Sequence, residues 1–287
     1  MSIRSINPSD LTIPEIHQFL LGSVGPRPIC FASTIDESGT PNLAPFSFFN
    51  VFSANPPILV FSPARSGRTG ATKNTFDNCT AVPEVVVNMV NYSMVQQMSL
   101  ASSPYPKGVN EFEKAGFTPI ASDLIKPFRV KESPVQLECK VIEIKELGQG
   151  GGAGNLIICE IVKLHISESI IDQKNHIDPY QIDLVSRMGG NYYCRANGDA
   201  IFEIPKPITS IGIGVDALPD SIRLSHELTG NHLGQLGQLE SIPQPNDYVT
   251  AASLPKAEAF VRAKQLLGDN KNFEALCLLL KNTTDEQ

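Results

Sequence analysis

The chain has 287 residues, of which 41% are hydrophobic, and a formal net charge of −7. The apolar share supports a packed core and excludes a disordered chain. The acidic balance excludes a general nucleic-acid binder, which needs a basic face.

Residues 1–20 form a mixed lead-in, with a short helix expected after Pro14. Residues 28–35, PICFASTI, alternate and are rich in strand formers, and Asp36-Glu37-Ser38-Gly39 reads as a turn. Thr40 to Asn50 reads as a second strand, interrupted by Pro45. Proline demotes a strand to an edge or a bulge, and such a strand leaves amides free for a ligand. Ile58 to Ser62 is a short apolar run that reads as a buried strand. Lys73 to Cys79 opens a short helix, with Thr72 or Asn74 as its cap.

Glu84 to Val90 is a strand of β-branched residues. Residues 93–120 turn polar, with one short helix expected from Asn110 to Ala115 and stopped by Gly116. Val135 to Ile144 alternates, with Val135, Leu137, Cys139 and Val141 on one face and Gln136, Glu138 and Lys140 on the other. Its partner is Asn155 to Ile166, across the loop GQGGGAG. Six or seven strands with few long helical patterns favour an antiparallel barrel or sandwich over a Rossmann fold. After residue 204 the composition changes: Pro205, Pro207, Pro219, Pro243 and Pro245 punctuate a segment with little alternation, and residues 255–281 read as helix. The expected division is therefore a domain over 1–204 and a partly helical extension over 205–287 packed on it.

The most informative stretch is Asn42 to Thr75. Its first part sets Phe46, Phe48 and Phe49 among small and polar residues. Successive strand residues point to opposite faces, so Phe48 and Phe49 cannot share one core. Its second part holds Arg65, Arg68 and Lys73 among the hydroxyls Ser62, Ser66, Thr69, Thr72 and Thr75. Guanidinium and ammonium groups make charge-assisted hydrogen bonds to phosphate oxygens, and a helix N-terminus adds more donors. A phosphate loop one strand away from aromatics and strand amides points to a nucleotide or a flavin.

Other motifs carry less. GQGGGAG has a strand after it rather than the helix a dinucleotide fingerprint needs, so it reads as a hairpin loop. Gly212-Ile213-Gly214 lacks a helix as well. His226-Glu227 begins like HExxH without the second histidine, and no metal site is expected. His165 lies in a strand and reads as a structural hydrogen-bonding residue. The six cysteines form no CxxC pair and read as core thiols in a reducing compartment. No run approaches the ~18 apolar residues of a membrane span, and the first ten residues lack a signal-peptide core, so a cytoplasmic protein without membrane or nucleic-acid partners is expected.

The order and spacing of several segments resemble a known family. They are Arg27-Pro28-Ile29, Asn42-Leu43-Ala44-Pro45-Phe46-Ser47-Phe48-Phe49, Pro56-Pro57, Lys73-Asn74-Thr75 and Val87-Asn88, then Glu132-Ser133-Pro134 to Glu138, His165-Ile166 and Arg187-Met188-Gly189-Gly190 to Tyr193. Together, over about residues 20–200, they are similar to the flavin reductase-like, FMN-binding split-barrel proteins, and most to the flavoredoxin branch. The resemblance implies a mainly β split barrel of antiparallel Greek-key type with peripheral helices. It also implies a homodimer with non-covalent FMN near the dimer interface, and hydride transfer from NADH or NADPH to flavin N5, with electrons passed to a small-molecule or protein acceptor.

By the same resemblance, Asn42, Leu43, Ala44, Pro45, Phe46 and Ser47 line the flavin ring, largely through backbone groups. Ser62, Arg65 or Arg68, Lys73, Asn74 and Thr75 hold the ribityl chain and phosphate, with Asn88 nearby. Arg187, Gly189 and Tyr193 close the site. Asn74 stands where an aspartate is common in the family, which removes a carboxylate from the phosphate end. No catalytic side chain is assigned, because the flavin carries the chemistry. The rival readings are a non-catalytic FMN electron carrier, a split-barrel oxidase or oxygenase on a small molecule, and a module that binds no flavin at all.

Overall fold

Strand-forming apolar runs build one seven-stranded antiparallel sheet in the computed structural model, which describes residues 2–205 and 210–283. Pro207 lies outside the described residues. The chain divides into two compact units, Met1–Phe202 and Glu203–Gln287.

The strands of the first unit are β1 (Cys30–Ile35), β2 (Pro41–Phe46), β3 (Phe49–Ala54), β4 (Pro57–Phe61), β5 (Glu84–Met89), β8 (Val135–Glu146) and β9 (Asn155–Ile166). Two short pairs, β6 (Pro119–Ile120) with β7 (Arg129–Val130) and β10 (Val185–Arg187) with β11 (Tyr193–Arg195), stand apart from them. The order in the main sheet is β2-β1-β5-β8-β9-β4-β3. Its edge strands β2 and β3 are consecutive in the chain and joined by only Ser47 and Phe48. The sheet must therefore curl on itself, and Phe46 of β2 packs on Phe61 of β4 with ring centroids 5.8 Å apart. β2 and β3 do not pair with each other, so the barrel stays split along that seam. The single strand expected over 40–50 is thus two strands, and the chain turns at Ser47 rather than at Pro45. Pro45 sits in the edge strand β2, where a missing N–H costs no ladder bond.

Cys30, Ala32, Leu59, Phe61, Val85, Val87, Cys139, Ile157 and Cys159 fill the barrel. A second core covers its outside, where Phe31 and Leu43 meet Met94, Met98, Phe112 and Phe117. β1 is buried at every position because it has core on both faces. Helix α3 (Val95–Ala101) supplies part of that cover, in the polar segment where the sequence suggests a helix only over 110–115. Helix α4 (Glu111–Ala115) begins on the cap Asn110, whose side chain accepts from the Phe112 amide, and ends on Gly116 at φ 70. All six cysteines are free thiols, and burial pushes Cys79 up to about 12.

Helix α1 (Ile13–Ser23) has no buried residue. Helix α2 (Asn74–Ala81) takes Lys73 as its cap residue, without a side-chain capping bond. The short helix α5 (Pro179–Ile182) precedes β10.

The second unit is helical: α6 (Asp220–Arg223), α7 (Gly230–Gly237), α8 (Lys256–Gly268) and α9 (Asn272–Thr283). The single helix expected over 255–281 breaks at Asn270, which adopts φ 59. Asparagine tolerates that left-handed turn better than most residues. Helix α9 buries Leu276, Leu278, Leu279 and Leu280, so it has no solvent stripe and forms the centre of its own core with Ile222, Leu236 and Phe260. The His226-Glu227 segment precedes α7, and His232 serves its cap, accepting at Nδ1 from the Thr229 amide.

One face of β8 departs from the expected alternation. Gln136 and Glu138 are buried although they oppose the barrel core. Glu138 is fully buried and accepts from the amides of Asp123 (2.8 Å) and Leu124 (2.7 Å), with His165 Nε2 at 2.7 Å. It ties the 121–128 loop to the sheet, and His165 has the structural role its strand position suggests. Asp123, Glu138 and His165 bring three ligand atoms within 4.8 Å of one another, but Lys163 and Arg129 also pair with Asp123. Two cations already balance two carboxylates, so the group is a charge network rather than a metal centre. Burial pushes Glu138 up, yet the two amides and His165 outweigh it and hold the carboxyl below the ordinary value. Stability from such a group is present above its unfolded value and lost as pH falls through its folded value. Glu138→Gln is expected to cost about 1–3 kcal/mol at pH 7. The gap to the wild type should narrow as pH falls below the ordinary glutamate value. Urea unfolding at pH 7 and at acid pH measures both, and parallel pH curves would count against it.

Candidate functional site

A cleft of about 570 Å³ opens beside the split in the barrel. One wall is β2 and the turn after it, with Asn42, Ala44, Pro45, Phe46, Ser47 and Phe48. The floor at one end is the start of α2, with Thr72, Lys73, Asn74 and Thr75, next to Ser62 and Ala64. α1 contributes His17 and Leu21, and Arg27 and Ile29 follow. The far wall comes from Met98, residues 101–105 and Glu111. Arg187 and Tyr193 complete the lining.

The edge of β2 decides what that wall can offer. The Leu43 amide points outward, because it donates to Glu111 Oε2 at 3.0 Å. Outward amides alternate along an antiparallel edge, so positions 41 and 45 also face out, and both are prolines. The expected row of free amides is therefore absent between Pro41 and Pro45. Leu43 itself turns its side chain into the outer core and is fully buried.

Glu111 holds the Asn42 side chain too. Asn42 Nδ2 lies 3.1 Å from both carboxylate oxygens. Asn42 Oδ1 accepts from Thr75 Oγ1 at 2.9 Å, and Thr34 Oγ1 lies 3.5 Å away. Asn78 Nδ2 donates to Thr34 at 3.1 Å. This buried chain joins α4, β2 and α2. Burial pushes the Glu111 carboxyl above the ordinary glutamate value, and the hydrogen bonds from Leu43 and Asn42 only partly offset that.

Of the three loop cations, Lys73 alone lines the cleft among the described residues. Arg65 is turned away onto the β8–β9 hairpin, where its guanidinium meets Glu146 at 2.5 Å, Gln149 at 3.2 Å and the Gly70 carbonyl at 3.2 Å. The loop glycines permit this. A Cβ at Gly151 would come within 2.7 Å of the Gly67 carbonyl oxygen. The glycine-rich hairpin is therefore a backbone platform for the cationic loop. Arg68 sits exposed at the tip of that loop and does not line the cleft. Neither arginine is placed to hold a phosphate there.

Asn88 is fully buried, with Nδ2 on the Phe31 carbonyl (3.0 Å) and Oδ1 accepting from Val130 (2.9 Å), so it is structural and lies off the cleft. Gly189 does not line it either. A Cβ there would meet Gly22 Cα at 3.1 Å, so this glycine lets the 187–193 segment close on α1. Arg187 lies over the Tyr193 ring at 4.6 Å and donates to the Gly190 carbonyl at 3.0 Å. The Ser62 hydroxyl accepts from the Asn155 amide at 3.0 Å.

Sequence reasoning missed His17, Leu21, Arg27, Met98, residues 101–105 and Glu111 as lining residues. His17 and Leu21 are four apart on α1, a spacing that does signal one helical face. Nothing in the sequence separates Glu111 from its solvent-facing neighbour Glu113. Arg27 is 5% exposed and spends its guanidinium on the carbonyls of Leu21 (2.7 Å), Val24 (2.5 Å) and Met188 (2.9 Å). Burial, and then the charge of Arg187, pull its pKa below the ordinary arginine range. Arg27, Lys73 and Arg187 against Glu111 give the cleft a positive balance within an acidic chain.

Residues 22–180 match the model of the flavin reductase like domain. Component B of nitrilotriacetate monooxygenase from Bacillus cereus superposes with a TM-score of 0.67 at 30% identity, covering 71% of this chain and 100% of that one. The 2-nitrobenzoate 2-nitroreductase NbaA of Pseudomonas fluorescens superposes with a TM-score of 0.63 at 29% identity, covering 73% and 100%. Flavoredoxin of Desulfovibrio vulgaris (Miyazaki F) shares the fold at 18% identity and a TM-score of 0.55, covering 65% and 93%. The split seven-stranded barrel, its cleft and the match over 22–180 together make this chain a member of the flavin reductase-like family of split-barrel proteins.

Proposed function

We propose that the chain binds FMN in this cleft and works as an NAD(P)H-dependent flavin oxidoreductase. The observation that carries the reading is the start of α2 opening into the cleft beside Ser62. The first amides of a helix have no intrahelical acceptor, and with an adjacent ammonium they form an anion site. Lys73 Nζ has no partner among the described residues, Asn74 is neutral, and the first-turn carboxylate of Asp77 is occupied by the Thr72 hydroxyl at 2.8 Å. The cleft volume lies in the range of sites for small molecules and cofactors. The residues present thus fit a flavin mononucleotide: Lys73 and the Asn74 and Thr75 amides at the phosphate, Ser62 at the ribityl chain, and Ala44 to Ser47 along the ring.

FMN, when bound, supplies the hydride and electron chemistry. The side chains of the cleft do the rest. Phe48 and Tyr193 give apolar cover, and the Arg187 guanidinium raises the positive potential. An enzyme would seat its second ligand against the far wall from Met98 to Tyr105, which a bare electron carrier does not need. The nitroreductase neighbour favours a second reading, in which the same cleft reduces a small aromatic substrate.

The electron acceptor is a small molecule or a protein. A homodimer is proposed on the exposed apolar edge strand β3, where Val51 and Phe52 are 54% and 68% exposed. Free thiols agree with a reducing, cytoplasmic setting. The described residues contain no helix long and apolar enough to cross a membrane.

Purified protein should show flavin absorbance, or acquire it saturably on addition of FMN. No uptake of FMN would overturn the reading. Lys73→Ala is expected to weaken FMN by about 1–3 kcal/mol, while Arg65→Ala stays within about 0.5 kcal/mol. Titration of the two variants separates the cleft cation from the latched one. Anaerobic addition of NADH or NADPH to the loaded protein should bleach the flavin band, and a band that persists with both donors would leave only a carrier. Phe52→Asp is expected to shift the wild-type dimer to monomer in light scattering.

A further inference from the structure

The flavin reading leaves Glu111 without a role, although it is the one acidic side chain that lines the cleft among the described residues. It is 4% exposed, and its recorded partners are Asn42 and the Leu43 amide rather than a cation. An ionised carboxylate can only accept. The Asn42 side chain must therefore present Nδ2 to Glu111 and Oδ1 to the other side. That oxygen takes the proton of Thr75 Oγ1 at 2.9 Å. A hydroxyl has one proton, so Thr75 has none left to give to the cleft. Thr75 lies under the cleft floor in the first turn of α2, fully buried, with its hydroxyl spent on Asn42.

We propose that Glu111 is a positioning residue that sets the direction of the relay Thr75→Asn42→Glu111, and so makes the Thr75 hydroxyl an acceptor rather than a donor at the anion end of the cleft. The inference rests on the flavin reading for the identity of the anion. It makes Lys73 and the backbone amides the phosphate donors and keeps the Thr75 hydroxyl out of that set. The relay has a second state, in which the buried Thr34 hydroxyl gives up its 3.5 Å contact to Asn42 Oδ1. With an amide at position 111, Oε1 accepts from Leu43 and Nε2 donates to Asn42 Oδ1 after the Asn42 amide turns over. Asn42 Nδ2 then donates to Thr75 Oγ1, and the Thr75 proton is released toward the cleft.

The test compares FMN with riboflavin, which lacks the phosphate, on wild type, Glu111→Gln, Thr75→Val and the double variant. Glu111→Gln is expected to bind FMN about tenfold more tightly, the worth of one added charge-assisted hydrogen bond. Riboflavin affinity should stay unchanged, and Thr75→Val should abolish the gain. A gain that survives Thr75→Val comes from removing a negative charge alone and overturns the relay. An unchanged or weakened FMN affinity in Glu111→Gln overturns it as well. Side-chain amide NMR supplies a readout that needs no flavin. The Asn42 NH₂ resonances should move markedly in Glu111→Gln, because their acceptor changes from carboxylate to hydroxyl. A wild type that binds no flavin would sink the flavin reading, and the amide spectrum would then decide the relay by itself, with unmoved resonances overturning it.

Discussion

The outer edge of β2 has no strand beside it, and the site is built on that vacancy. An edge exposes amides and carbonyls that water or another chain would otherwise take. Here the edge is blunted residue by residue. Pro41 and Pro45 have no amide to expose, and Glu111 takes the amide between them. The β2–β3 link is only Ser47-Phe48, and the two edge strands that it joins do not pair with each other. Phe49 then packs on the barrel core while Phe48 stays at the cleft, 38% exposed. One constraint thus yields a barrel that cannot close, a cleft along the seam and an aromatic at its rim.

The cationic loop shows how charge can be misassigned when only composition is known. Arg65, Arg68 and Lys73 look equivalent in sequence. Their fates differ because the loop lies on a neighbouring hairpin whose glycines let two backbones touch. Arg65 finds Glu146 there, in a pair whose side chains are 14% and 38% exposed. A guanidinium fork suits that carboxylate and carbonyl set better than an ammonium would. The hairpin therefore draws the arginine away, and the cleft keeps the lysine. GQGGGAG is a turn, as its strand context implies, but its glycines also serve the loop opposite.

Much of the fold was legible because it rests on local pattern. β5 follows from its β-branched run, β8 from alternation with β9 as its hairpin partner, and α4 from its asparagine cap and terminal glycine. Features that depend on distant contacts were not. The turn at Ser47 is set by sheet closure rather than by any turn residue. α3 carries Met98, and the turn before it Met94, to a core that exists only once β1 and β2 have formed. At the site, the β2 and α2 residues were legible through their motif, whereas Asn88 and Leu43 share that motif for packing reasons. Glu111 was invisible, because an acidic residue after a helix cap is ordinary and its burial is a property of the assembled wall.

Glu111 and Arg27 solve the same physical problem with opposite charge. Both line the cleft and are buried, and both rely on neutral dipoles where a salt bridge would be usual: amide donors for the carboxylate, three carbonyls for the guanidinium. Burying a charge is costly, and apolar replacements of buried ions are often as stable. Stability is therefore a poor reason for either residue to be there. What each does achieve is geometric. Arg27 fixes the end of α1 against the 187–193 segment, and Glu111 fixes β2 against α4. A planar ligand held between those walls gains from rigid surfaces, because walls ordered in advance leave less entropy to lose on binding. The two buried charges make sense as struts of the cleft, each fixing one pair of the segments that line it.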